Sequence, residues 1–463
     1  MSFSGEFATR SKAQPTNLGV VLEVTLNSAT WDRDGTLTTA LFVSDQAVTA
    51  RGVIYDPRVI RGGWGGVHQQ IELRASGLSG LSTSVTLADP DGRVRNALVS
   101  ADQRNSTAQI IRIIPGSLDD YDIRFTGLLD SWEFRVNEVR LNFKTDERYL
   151  KSYFPQWPFL RAEWFQMDLS QQGKYGPMVY GKHDSTGLSL DHGMVPTVPT
   201  WLSAASNSWY VTNLGLATLI KDVYITVAGV TTKDDPANYL KNYGNGPGLK
   251  AYTLIDFAYG GGSNPGTDDV ITADLYGYSE DFASNDYTGN ACITNPVQQL
   301  RHFIVNFAVG RSRGSTAWTM TNPLLHTASW DTAATWADNH GLEGSRYMAE
   351  QRTAMDWIRE WCESFPMFRP YWNTSGQIAL QILSAEWPGY WTGSTEVVRR
   401  EDCLGNSFQY ETDPGDVTGK ISIQYLRDSV DNSFLKSLDI QDLSTGALED
   451  TSIQMYWAPA RQA

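Results

Sequence analysis

The run YDIRFTGLLDSWEFRVNEVRLNFKTDERYL, at residues 121–150, decides the fold class of this chain. Apolar and polar residues alternate within it in three segments, at 121–125, 132–136 and 139–143. Alternation with a period of two is typical of half-buried antiparallel strands. Asn137 and the glutamate after it supply a connection between the last two segments. The run therefore predicts a β-hairpin within a mainly β domain.

The residues before this run continue the β pattern. VVLEVTL at 20–26 is a strand-like run that leads into a turn at Asp34-Gly35. SVTLADPDGRVR at 84–95 predicts a strand, a turn over its Asp-Pro-Asp-Gly and a second strand. Both aspartate-rich turns resemble fragments of a calcium loop. They lack the third acidic ligand and the distal glutamate, which favours plain turns.

After residue 150 the composition and the predicted secondary structure change several times along the chain. Residues 151–205 are rich in proline and aromatic residues and predict an extended connector laid over a surface. Short β runs follow, with Gly-rich turns that lack the Lys-Ser or Lys-Thr of a phosphate-binding loop. The sequence therefore predicts four regions: an N-terminal β domain (1–150), the connector (151–205), an inserted β-rich domain ending in a helix (206–330) and a C-terminal α+β domain (331–463).

Two amphipathic helices are predicted near 295–365. The first opens with Asn295 as N-cap and Pro296 as the first helical residue. Its apolar residues fall on one face, and His302 lies near the opposite face, which predicts a solvent-exposed histidine. The second helix is predicted from the 3-4 spacing of apolar residues over 345–365.

Composition and charge exclude several classes of protein. Of the 463 residues, 41% are hydrophobic, so the chain can bury cores and is not globally disordered. The formal net charge of −15 argues against binding the nucleic-acid backbone through a basic face. No run approaches about 18 uninterrupted apolar residues, and the N-terminus lacks an apolar leader, so we expect neither a membrane span nor a secretory signal.

The motifs of common enzymes and metal sites are missing from the sequence. Cys292, Cys362 and Cys403 form no CxxC pair, and we expect them to be small apolar residues in cores. HExxH, GxxxxGK[ST], GxSxG and a GxGxxG following a strand do not occur. We therefore predict no metal site, no cofactor and no catalytic residue.

The order of motifs in 291–430 resembles the tail hub, or baseplate hub, proteins of tailed bacteriophages. A helix opening with Asn-Pro is followed by an amphipathic helix, an aromatic-rich turn, a strand and then DPGDVTGKISIQYLRDS at 413–429. FTGLLDSWEF at 125–134, followed by VRLNFKTDERYL, is similar to the first β domain of such hubs. PMVYGKHDS at 177–185 is similar to a segment of tail tip proteins. We expect no appended peptidoglycan-hydrolase domain or fibre tail, and therefore no lytic role.

This resemblance implies a multi-domain, mainly β protein with minor α structure, in which tail-tube-like β-barrel or β-sandwich domains at 1–150 and 331–463 build a ring. It implies a homotrimer in the virion tail tip, assembled in the bacterial cytoplasm and serving host cell attachment and DNA ejection. Such a hub joins the tail tube above to tip, spike or fibre proteins below, and DNA passes through its lumen without specific binding. The acidic balance then predicts an inner wall that repels phosphates. The alternative is that the charge only keeps the protein soluble.

A cell-wall glycan hydrolase is one rival function. Such an enzyme needs two carboxylates about 5 to 9.5 Å apart in an aromatic-lined cleft. Glu360 and Glu363 lie one turn apart on the second predicted helix, where a solvated face is the better account. Asp413 and Asp416 flank Pro-Gly, which is turn chemistry. We therefore expect that the chain is not an enzyme.

A carbohydrate-binding or receptor-binding tail module is the other rival. Sixteen Trp and 21 Tyr could provide stacking platforms for sugars. Trp132, Trp357 and Trp361 lie in or beside apolar periodic runs, which predicts a core position for each of them.

Overall fold

The computed structural model of the chain describes residues 19–27, 38–67, 78, 80–99, 106–114, 121–156, 158–162, 164, 167, 169–188, 190–203, 206–212, 219–246, 250–257, 265–266, 268–278, 292–308, 324–382, 420–431, 433–441 and 450–454. The chain divides into two compact units. The first comprises Met1–Arg148, Pro323–His326 and Pro370–Leu380, and the second comprises Tyr149–Asn322, Thr327–Arg369 and Gln381–Ala463. The four-part division expected from the sequence stays a prediction.

A nine-stranded sheet forms the first unit. Its strand order is β3-β4-β2-β1-β7-β8-β9-β6-β5, with two free ends, so this sheet does not close into a barrel within the described ranges. All neighbours are antiparallel except β2 and β4. The strands are β1 (Gly19–Asn27), β2 (Thr38–Ser44), β3 (Val48–Ala50), β4 (Val53–Pro57), β5 (Val59–Trp64), β6 (Ser82–Ala88), β7 (Thr107–Ile113), β8 (Tyr121–Arg135) and β9 (Glu138–Lys144).

The predicted hairpin is present as β8 and β9. Val139, Leu141 and Phe143 alternate with polar neighbours along β9 and are buried, as the period of two predicts. Arg135 pairs with Glu138, so the turn residues are Val136 and Asn137, one position earlier than expected. Asn137 adopts a φ of 60°, a conformation that asparagine tolerates well.

The turn after β6 is present, but the second strand predicted there is a helix, α1 (Arg93–Val99). The Asp89 carboxylate accepts hydrogen bonds from the backbone N–H groups of Val94 at 2.9 Å and Arg95 at 3.1 Å, which starts the helix. The Asp91 carboxylate accepts hydrogen bonds from both terminal nitrogens of Arg58, at 2.8 and 2.7 Å. Both carboxylates therefore serve the turn, in agreement with the prediction. The Asp34-Gly35 turn lies outside the described residues.

The second unit contains several smaller sheets. A five-stranded sheet has the order β12-β20-β16-β17 with β13 also on β20, a four-stranded sheet has the order β14-β15-β19-β18, and a three-stranded sheet has the order β26-β25-β27. Two further pairs are β10-β22 and β11-β21. The strands are β10 (Tyr153–Phe154), β11 (Met178–Tyr180), β12 (Lys182–His183), β13 (Val195–Pro196), β14 (Val198–Ser203), β15 (Ser206–Thr212), β16 (Leu219–Val227), β17 (Val230–Lys233), β18 (Leu240–Gly246), β19 (Lys250–Asp256), β20 (Val270–Tyr276), β21 (Arg346–Met348), β22 (Arg352–Thr353), β25 (Lys420–Arg427), β26 (Phe434–Gln441) and β27 (Asp450–Gln454).

One further hairpin is formed by β23 (Phe368–Trp372) and β24 (Ile378–Ile382). Residues 151–205, for which the sequence predicts a surface connector, contribute β10 to β14. Every residue of β11 is buried. This segment therefore takes part in the sheets of the second unit and is not only laid over its surface.

The described residues between 295 and 365 form three helices, where two are predicted: α2 (Pro296–Phe303), α3 (Thr327–Asn339) and α4 (Ala354–Ser364). Asn295 caps α2 as expected, accepting from the backbone N–H groups of the second and third helical residues. A π-helical segment, Ile304–Ala308, continues α2.

The helix predicted over 345–365 begins later, at Ala354. Thr353 and Asp356 form a reciprocal capping box that fixes this start. The residues before it lie in β21 and β22 instead of a helix. The general prediction of a mainly β protein with minor α structure is confirmed.

Candidate assembly surface

The long strand β8 extends beyond its neighbour β7. Tyr121 to Leu128 pair with β7, whereas Ser131 to Arg135 pair with β9 alone among the described strands. Among the described residues, no second strand lies beside residues 130–135, which we call the free edge of β8; at its end the Arg135 carbonyl accepts a hydrogen bond from Nη2 of Arg95 at 3.1 Å. Such an edge can accept a strand from another chain.

Apolar side chains accompany this free edge. The rings of Trp132 and Phe134 lie 6.4 Å apart on one face, and Phe134 is 41% exposed. Val136, in the adjoining turn, is 89% exposed. The Arg95 guanidinium stacks 5.0 Å from the centre of the Phe134 ring, which holds that ring in place. Exposed aromatic and aliphatic groups beside a free strand edge are typical of a protein interface.

Charged side chains interrupt the apolar groups of the free edge. Asp130 pairs with Lys144, and Glu133 lies 3.9 Å from Arg135. Natural edge strands use charges of this kind to prevent indiscriminate pairing. A partner strand must therefore match the charge pattern as well as the backbone.

Two other hairpins also present apolar residues near their tips. In the first unit Ile54 is exposed beside the Arg51-Gly52 turn, whose φ values are 52° and 74°. In the second unit Val227 and Val230 are exposed and flank a turn with φ values of 49° and 82°. Two-residue turns with both φ values positive match the twist of the strands, so both tips are tight hairpin turns.

Glu360 is buried, which corrects the prediction of a solvated face. Its carboxylate pairs with Arg346 and accepts a hydrogen bond from Nη1 of Arg352 at 2.9 Å. Both guanidinium groups lie 5.1 Å from the Trp357 ring. Glu363 is exposed, so the two carboxylates occupy different environments. Glu360 is thus engaged in a structural ion network. Asp413 and Asp416 lie outside the described residues.

His302 is also buried, contrary to the exposed position predicted for it. Its Nδ1 lies 2.9 Å from the hydroxyl oxygen of Tyr180, and its ring centre is 4.8 Å from that of Tyr278. Burial raises the pKa of Tyr180 well above its usual value. The reason for the error is that α2 is covered on both faces, which the periodicity of one helix cannot indicate.

Trp357 and Trp361 occupy the core as predicted. Their indole nitrogens donate to the carbonyl oxygens of Phe154 at 3.0 Å and Pro296 at 2.9 Å. Trp132 is half-buried on the free edge of β8, so its predicted core position is wrong.

Cys292 and Cys362 are buried, as expected, and Cys403 lies outside the described residues. Across the described part of the chain, no three His, Cys, Asp or Glu side chains are placed to hold a metal ion. None of the helices in that part has both the length and the apolar content to cross a bilayer.

Comparison with known proteins gives little similarity. No family model and no curated protein sequence matches the chain. Among solved structures, a chain from the "Virion of native gene transfer agent (GTA) particle" aligns with a TM-score of 0.24 and 12% sequence identity. The alignment covers 61% of this chain and 86% of that chain. At this TM-score the two chains do not share a demonstrable fold.

Proposed function

We propose that this chain is a structural, non-enzymatic virion protein that acts as the hub of a bacteriophage tail tip or baseplate. The observation that carries the proposal is the free edge of β8, with Phe134 and Val136 exposed beside it. A free edge with apolar anchors suits a protein that works by assembly. The motif order at 291–430 and the mainly β fold support the same function.

In the proposed assembly, three copies surround a lumen. The free edge of one copy receives a strand or hairpin from a neighbouring protein, which extends the sheet across the interface. Tail-tube proteins bind above the ring, and tip, spike or fibre proteins bind below it. The ring would carry roughly three times the charge of one chain, −15, and its acidic inner wall would let DNA pass without adhering.

A symmetry-averaged map of the tail end of the intact particle tests this proposal. We expect threefold density for this chain between the tail tube and the tip, with acidic side chains along the inner wall. Sixfold density, or no density for this chain, would refute the trimeric hub. A basic inner wall in a threefold ring would be consistent with the proposed trimer, but it would contradict the proposal that acidic charge keeps DNA from adhering.

A further inference from the structure

His192 and Asp428 meet between two sheets of the second unit. His192 lies in the segment between β12 and β13, along the five-stranded sheet, and Asp428 follows β25 in the three-stranded sheet. His192 Nε2 lies 3.4 Å from Asp428 Oδ2. The Asp428 side chain is 0% exposed and that of His192 is 21% exposed. This contact is therefore shielded from most of the solvent.

The hydrogen bonds around the pair determine where its protons must be. His192 Nδ1 lies 3.1 Å from the carbonyl oxygen of Gly193, which can only accept, so Nδ1 carries a proton. Nε2 then carries a second proton only if the ring is charged. If it does not, its lone pair faces the carboxylate, and the contact is attractive only when Asp428 is protonated. At least one proton between Nε2 and Oδ2 is thus required.

The rest of the Asp428 carboxyl group is fixed in place. Oδ1 accepts from the backbone N–H of Val430 at 2.8 Å. Oδ2 makes no hydrogen bond of standard geometry among the described residues, and its recorded charged neighbour is His192 Nε2 at 3.4 Å. The backbone N–H of Asp428 donates to the Ser433 carbonyl at 2.9 Å, which closes the turn between β25 and β26.

The His192 side of the contact is anchored to β20. The Asp274 carboxylate accepts from the Met194 backbone N–H at 3.1 Å and from the Ser185 hydroxyl at 2.6 Å. The Gly193 N–H donates to the hydroxyl oxygen of Thr272 at 2.9 Å. These bonds hold the histidine segment on the five-stranded sheet, so a change at His192–Asp428 acts on the attachment of the three-stranded sheet.

Two other carboxylates act on Asp428. Asp274 on β20 is buried, and Asp431 lies in the same turn as Asp428. Burial raises the pKa of Asp274 and of Asp428, and each of the neighbouring carboxylates raises the pKa of Asp428 further. The nearby His192 lowers the pKa of Asp428. Hydrogen bonds from Ser433 lower the pKa of Asp431, which therefore keeps its negative charge.

We propose that His192 and Asp428 form a proton-dependent latch that attaches the three-stranded sheet β25–β27 to the five-stranded sheet. The latch is closed when a proton lies between the two side chains and loosens when that proton is lost.

The direction of the pH effect follows from proton linkage. The folded state raises the pKa of Asp428 and so binds the proton more tightly than the unfolded chain does. Its contribution to stability is complete below the unfolded pKa and is lost as the pH rises through the folded pKa. The attachment of the three-stranded sheet is therefore strongest in acid and weakens towards alkaline pH.

Hydrogen exchange of the full chain tests the latch, with backbone amides of β25 and β26 followed from about pH 3 to about pH 9 after correction for intrinsic rates, so that the series starts below the ordinary pKa of an aspartate. In the unmodified protein we expect the opening constant of these strands to increase with pH, by up to about tenfold per pH unit, the limit for one proton. In Asp428→Asn an amide N–H can face Nε2 of His192 at every pH, so the opening constant should not change with pH.

Asp235→Asn is the control, because it replaces an exposed carboxylate in the same unit. Its opening constant should change with pH as in the unmodified protein.

Two results would overturn the latch: a flat opening constant in the unmodified protein, or an equal slope in Asp428→Asn. If Asp428→Asn does not fold, His192→Gln provides the second test. Asp428 still titrates in this variant, but the glutamine N–H can donate to the ionised carboxylate at high pH, so the opening constant should rise less steeply with pH than in the unmodified protein. A slope like that of the unmodified protein in His192→Gln would contradict the proposal.

Discussion

Gly181, between β11 and β12, is a position where the backbone requires glycine. Its φ is 74°, and a Cβ there would meet the backbone of Gly344 and Ser345. We expect Gly181→Ala to lower the free energy of unfolding by about 2–4 kcal/mol, because the clash adds to the cost of a left-handed residue. Urea denaturation measures this loss.

Gly187 is the matched control for this substitution. It has a similar φ of 80°, but a Cβ there meets open space. Gly187→Ala should therefore lower the free energy of unfolding by only about 1–2 kcal/mol, the cost of placing alanine in a left-handed conformation. Equal losses in the two variants would show that the approach of Gly344 to Gly181 does not contribute.

The buried Glu360 gives a second prediction at the level of single residues. Glu360→Gln removes the negative charge that pairs with Arg346 and Arg352. The two guanidinium groups beside Trp357 then lose their shared carboxylate partner. We expect a loss of about 3–5 kcal/mol in the free energy of unfolding. The exposed Glu363→Gln on the same helix should change it by less than about 0.5 kcal/mol. Similar values for both variants, measured by urea denaturation, would contradict the structural role of Glu360.

The wrong predictions of exposed positions for His302 and Glu360 share one physical cause. The periodicity of α2 and α4 identifies the face that each helix buries first, and it correctly places Trp357 and Trp361. It cannot show that a second layer covers the other face. The polar residues His302 and Glu360 are buried there because Tyr180 and Arg346, distant in sequence, provide their partners.

The free edge of β8 leads to a prediction about one element. Phe134→Ser removes an exposed ring from the edge and leaves the strand pairing with β9 intact. If this edge is an interface centre, incorporation of the protein into particles should fall by about 30-fold or more, the effect of losing about 2 kcal/mol at a hot spot. Quantitative immunoblots of purified particles measure the incorporation.

Val67→Ser is the matched control for this experiment, since Val67 lies in the same unit and is 41% exposed, as Phe134 is. It should be incorporated at the normal level. Normal incorporation of Phe134→Ser, with unchanged thermal unfolding, would remove the free edge from the proposed assembly surface.

Elements with strong local signals could be predicted from the sequence. The β8–β9 hairpin follows from its alternation, and the start of α2 follows from its Asn-Pro pair. The helix α1 could not be distinguished from a strand, because RVRNALV is short and its Val, Arg and Leu residues fit either pattern. The start of α4 depends on the Thr353–Asp356 capping box, which lies inside a longer stretch of suitable apolar spacing.

At the scale of the whole molecule, the proposed structural role predicts the absence of lytic activity. Purified protein should leave the turbidity of a bacterial cell-wall suspension unchanged, because assembly needs no reacting carboxylate pair. A lysozyme sample provides the positive control. Clearing of the suspension would contradict a purely structural role. Binding on a glycan array, without clearing, would favour a receptor-binding module.

The arrangement of the strands could not be predicted from the sequence. In the nine-stranded sheet β1 pairs with β7 and β6 pairs with β9, so neighbours in the sheet are often remote along the chain. Local alternation indicates that a strand exists and which face it buries, but not which strand lies beside it. The expectation of a barrel rested on resemblance, and the described sheet is open at β3 and β5.

The discontinuity of the first unit has a consequence for synthesis on the ribosome. Its nine-stranded sheet comes from Met1–Arg148, whereas Pro370–Leu380 belong to the same unit outside that sheet, and the backbone of Ile378 bonds to Leu324 and His326. Completion of the unit must therefore wait for residues that are synthesised later. At a translation rate of about 5–20 residues per second, that wait is on the order of ten to fifty seconds. During this time the free edge of β8 is available to cellular chaperones before any assembly partner arrives.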